Sequence, residues 1–118
     1  MELTLGSTTY RLVSAPHGDR FVAHAERTDN NERFGIEATG ATAEEAENRL
    51  ERWLEWQHEH MQALEALQQA ERAYHRAMAG AAFASPAEGA DGESRASLES
   101  VNAARQHLDE VRARRPDV

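Results

Sequence analysis

Between Gly40 and Gly80 the chain contains neither glycine nor proline, the two residues that most often end a helix. That run opens on Thr42 with Glu45 three positions later. A T-x-x-E pair is a capping box, in which each side chain satisfies a backbone amide at a helix start. Glu44, Glu45 and Glu47 add negative charge near the positive end of the helix dipole. The spacing predicts a single helix over residues 43–79, about 55 Å long at 1.5 Å per residue. A helix of that length needs two different partners, because no small sheet can cover all of it.

The first partner precedes it. Residues 2–38 alternate with period two and predict an antiparallel meander of three or four strands. Gly6-Ser7 suits a tight hairpin turn that sets Leu3 opposite Tyr10 and Leu5 opposite Thr8. Turns are expected again at 16–19 and 28–32. Phe21, Ala23 and Ala25 share one face, as do Phe34, Ile36 and Ala38, whereas Val22, His24 and Glu26 face the other way. The helix places Ala46, Leu50, Trp53 and Leu54 on one side, suited to lie across Tyr10, Leu12, Phe21, Phe34 and Ile36.

The second partner follows. Past the sheet the apolar stripe continues through Trp56, His60, Ala63, Leu67, Ala70, Tyr74, Ala77 and Ala81 at 3-4 spacing, broadened by Met61 and Leu64. Residues 80–93, with Pro86, Gly89 and Gly92, read as a loop. Ser94 is positioned to cap a last helix, in which Leu98, Val101, Ala104, Leu108 and Val111 repeat the same spacing. Arg112, Arg114 and Arg115 suit its C-terminal end and Pro116 closes it. The expected fold is therefore α+β: a small antiparallel meander of three or four strands covered by a long helix that continues into an antiparallel helical hairpin. Residues 1–56 form the head and 57–118 the hairpin extension.

Composition excludes several chemistries. There is no cysteine, so disulfides, thiolate metal sites and cysteine nucleophiles are all absent. All thirteen basic residues are arginine, which removes lysine chemistry. His58 and His60 stand two apart and point to different helix faces, unlike the H-E-x-x-H spacing of a zinc site. No G-x-S-x-G elbow or phosphate-binding glycine loop occurs. The net charge is −8, and although Arg11, Arg20, Arg27 and Arg33 lie on or beside strands, Glu26 and Glu37 interrupt them. No window approaches a membrane span. These readings predict a soluble cytoplasmic protein that is not an enzyme, holds no cofactor or metal, and binds neither membrane nor nucleic acid.

The order of strands followed by T-x-E-E-A resembles the N-terminal domain of HicB-type antitoxins over residues 8–56. Tyr10, Phe21, Thr42, Glu44, Glu45, Ala46 and Leu50 carry the resemblance. The proline-glycine turn that usually precedes the capped helix in that family is absent here, as is any ribbon-helix-helix or helix-turn-helix pattern after it. The resemblance implies a non-catalytic, protein-binding sheet domain.

Alanines permit close helix approach but bury little area each, so a two-helix hairpin with this seam is expected to need a homodimer mate or another protein. The expected contact residues are Trp56, His60, Leu64, Leu67, Tyr74, Val101, Leu108 and Val111. The leading expectation is a protein–protein interaction or self-association module working through the hairpin. The alternative is an antitoxin-like regulator that masks a small basic toxin or other basic partner.

Overall fold

The computed structural model describes the backbone of residues 1–83 and 90–118, and side chains up to residue 80 and from residue 95. Four strands come first: β1 (Glu2–Leu5), β2 (Thr8–His17), β3 (Arg20–Arg27) and β4 (Arg33–Gly40). They form one antiparallel sheet in chain order. Leu3 lies opposite Tyr10 and Leu5 opposite Thr8, the expected register. The two tightest turns pivot on Gly6 and Gly18, whose φ values of 62° and 66° favour a residue without a Cβ. An irregularity between His24 and Glu26 shifts the β3–β4 pairing, so His24 faces Glu37 but Glu26 faces Arg33.

Two helices follow, α1 (Ala43–Phe83) and α2 (Ala90–Ala113). The capping box forms as the sequence predicts: Thr42 Oγ1 accepts from the Glu45 amide at 3.1 Å. The reciprocal Glu45 carboxylate takes the Ala41 amide at 3.0 Å, one residue earlier than the usual partner. α1 is unbroken, and both helices reach into the expected 80–93 loop. Residues 84–89, the middle of that loop, lie outside the described residues. α2 is already under way before Ser94, so Ser94 is not its N-cap. Alanines on both sides of Gly80 favour helix strongly enough to carry α1 past it, and α2 runs through Gly92, although a glycine costs about 1 kcal/mol in a helix interior.

The chain divides into two compact units, Met1–His58 with Arg115–Val118, and Glu59–Arg114. In the first, Leu12, Ala23, Ala25 and Ala38 of the sheet pack against Ala46, Leu50 and Leu54 of α1. Leu3, Leu5, Tyr10, Phe21, Phe34, Ile36 and Trp53 surround that centre. Tyr10 and Phe34 meet edge to face at 5.1 Å between centroids. Leu50 is fully buried, a burial worth about 1.5–3 kcal/mol. The sheet's inner face and the tryptophan face of α1 thus cover each other as their periodicities require.

In the second unit the later part of α1 and α2 run antiparallel. Arg114 bonds Glu59 at 2.9 Å and Arg112 donates to His60 Nε2 at 3.4 Å at one end. Ser97 shares a groove with Ala73, Ala77 and Gly80 at the other. The Arg114 amide folds back on the Val111 carbonyl at 3.1 Å and closes the last turn of α2. Among the described residues no helix is long and apolar enough to cross a membrane.

Candidate interaction surface

The hairpin core is thin. Among the described residues of the second unit, only Ala63, Val101, Leu108 and Val111 are buried. Three of the residues expected to touch a partner therefore lie inside the single chain: Val101 is 4 % exposed, Leu108 3 % and Val111 0 %. The 3-4 spacing is the same whether a seam is filled by another chain or by the next helix, and here α2 folds back to fill it.

The other expected residues sit at the margins of that seam. His60, Leu64, Leu67 and Tyr74 are half-buried along α1. Trp56 belongs to the first unit, where its ring lies 6.1 Å from that of Trp53 and the Arg115 guanidinium stands over it at 5.8 Å. It is thus part of the head rather than of the hairpin. His58 also belongs to the head and presses its ring against the β1–β2 turn, 3.3 Å from where a Cβ on Gly6 would stand.

Two residues assigned to the stripe stay exposed. Met61 is 54 % exposed and Leu98 42 % exposed, and Met78 is exposed as well. Met78 and Leu98 lie at the same end of the hairpin as the Ser97 groove. The alanines on the α1 side of the seam, Ala63, Ala70, Ala73 and Ala77, let the helices come close and shelter only a narrow strip, leaving large side chains beside it exposed.

Among the described residues no group of three His, Asp or Glu side chains is arranged to hold a metal ion. A concavity lined by Thr42, Glu44, Glu45, Asn48, Glu51 and Arg52 is an open, acidic stretch at the start of α1. Glu55 has its carboxyl pushed above the usual glutamate range, first by partial desolvation and then by the charge of Glu51 and a hydrogen bond to it.

The outward face of the sheet is patterned rather than basic. The register aligns Glu2, Arg11, Glu26 and Arg33 in one row across the four strands, acid and base alternating. His24 Nε2 and Glu26 meet at 3.0 Å, and Arg33 pairs with Glu37 along β4. Phosphate recognition needs a one-signed surface, and this row is not one. Comparison of the chain with protein-family models, with curated proteins and with solved structures finds no match.

Proposed function

We propose that this chain is a non-enzymatic protein–protein interaction or self-association module, with the helical hairpin as its contact surface. The observation that supports this reading is the imbalance among the described residues of the hairpin: four buried apolar residues, one of them alanine, against three exposed large ones, Met61, Met78 and Leu98. Helices of this length owe their stability to packing of an apolar face more than to propensity. Leu64, Leu67 and Tyr74, already half-covered, form the border along which another helix would complete the burial. The partner is a second hairpin or a helix of another protein.

Sedimentation velocity over a wide concentration range tests this with Met78→Glu/Leu98→Glu. Both positions are exposed, so the double variant keeps its far-UV circular dichroism and loses association through the hairpin. Association of the folded variant equal to that of the unaltered chain would remove the hairpin as the contact surface.

A second reading, an antitoxin-like regulator that masks a small basic toxin or other basic partner, draws on the net charge of −8 and on the meander followed by a capped helix. It predicts binding to a basic protein that weakens steeply with salt.

A further inference from the structure

β4 is the last strand of the sheet, so one of its edges has no strand beside it. Free edges expose rows of N–H and C=O groups that proteins blunt with proline, lysine, bulges or very short strands. β1, at the opposite edge, is only four residues long. β4 is eight residues long and contains neither proline nor lysine, and its one irregularity lies in its pairing with β3 between Arg33 and Glu37. Its far end is closed by Arg49, which donates to the Thr39 carbonyl at 3.0 Å. Because backbone groups alternate in direction along a strand, a Thr39 carbonyl reached from outside the ladder places that of Glu37 on the free edge too, and beyond the irregularity the Glu32 carbonyl, which accepts from the Arg27 amide at 2.9 Å, turns the Arg33 amide to the same edge.

The side chains there are self-complementary. Gly35 has Phe34 and Ile36 on either side, and Arg33 and Glu37 beyond them. Arg33, Gly35 and Glu37 are exposed, while Phe34 and Ile36 face the helix side and are only half-covered.

We propose that a second copy of this chain pairs along β4, antiparallel, about a two-fold axis through Gly35. Arg33 then faces the partner's Glu37, Glu37 faces the partner's Arg33, and Phe34 faces the partner's Ile36. The two sheets become one continuous sheet with α1 of both copies on the same side. Charge selects this register: parallel pairing sets like charges side by side, and a two-residue slip leaves both charges opposite uncharged residues. A one-residue slip turns Phe34 and Ile36 to the wrong face. The Arg33–Glu37 pair within one chain is exposed and exchanges readily for the pair across the axis. The interface is made by residues of the first unit alone.

The test uses the full chain carrying Met78→Glu/Leu98→Glu, so that any hairpin association is already removed. Into it are placed Arg33→Glu or Glu37→Arg, each of which sets like charges opposite each other twice per dimer. Sedimentation should show each variant alone associating roughly tenfold or more weakly than its parent. An equimolar mixture should form a heterodimer at least as tight as the parent, because one chain is acidic at both positions and the other basic at both. Hydrogen exchange at the amides of Arg33 and Glu37 should slow in the mixture. A monomeric parent, two single variants that associate as the parent does, or a mixture no tighter than its components would each overturn the proposal.

Discussion

Gly40 ends β4 where the chain turns into α1, and replacing it with alanine should be among the most damaging small substitutions in the head. A Cβ there would stand 2.6 Å from the Ala46 nitrogen, 3.1 Å from the Ala46 Cα and 3.0 Å from the Glu45 Cβ. Carbon packs comfortably at about 3.5–4.0 Å, so the overlap approaches a full ångström. The atoms it meets are mostly backbone and cannot rotate away. They belong to the capped first turn, where the Ala46 amide bonds the Thr42 carbonyl at 3.1 Å. Relief requires lifting the helix start from the strand end, with Ala46 at 0 % exposure in the core. Overpacking of this kind costs about 1–3 kcal/mol, and disturbing the Ala46 hydrogen bond adds about 1 kcal/mol. Gly35→Ala is the control: nothing lies within 4 Å of its Cβ, so it should change stability by less than about 1 kcal/mol in either direction. Urea unfolding followed by tryptophan fluorescence reads the head selectively, since Trp53 and Trp56 both belong to it. The measurement is made dilute, to keep association at the β4 edge out of it. Equal midpoints for the two alanine variants at equal slopes would refute the close-approach argument.

Two further outcomes are expected. Leu108→Glu places a carboxylate in the hairpin core and should melt residues 59–114, at a cost of about 3 kcal/mol or more, whereas Leu98→Glu should leave helicity within about 0.5 kcal/mol of the original; circular dichroism with hydrogen exchange separates the two. Glu55→Gln should raise the melting temperature slightly near neutral pH, because a carboxyl whose folded pKa is raised destabilises the fold once ionised and the penalty is relieved as pH falls through that pKa. The gain should vanish below the ordinary carboxylate range, and a gain that persists there would rule out charge as its cause.

The head was legible because its signals are local. Gly6-Ser7 fixes a two-residue turn, and with it the Leu3–Tyr10 register. Thr42 and Glu45 fix the helix start, and period-two alternation assigns Phe34, Ile36 and Ala38 to the covered face. The irregularity opposite His24 and Glu26 leaves that alternation intact, since an odd number of residues is spanned on both strands, and so leaves no trace in the pattern. Gly40 reads in sequence only as a strand end, because its closeness to Ala46 depends on how sharply the chain turns.

The hairpin was legible in its topology but not in its width. Helical spacing places Val101, Leu108 and Val111 on one stripe without saying that α2 itself completes the seam. Met61 and Leu98 lie at the stripe's border, where coverage depends on how closely two alanine-lined helices approach. The complementary run from Arg33 to Glu37 is present in the sequence, but it acquires meaning only once β4 is known to be the edge.

Hydrogen exchange on the full chain at low and at high concentration bears most directly on the hairpin as an incomplete, partner-seeking surface. Amides of residues 63–77 and 98–111 should exchange far faster in dilute protein than those of residues 46–54, which lie on the sheet, and should gain protection when a second copy or another protein binds. Protection in the dilute hairpin equal to that of residues 46–54, unchanged by concentration, would show a self-sufficient helix pair and contradict the proposed function.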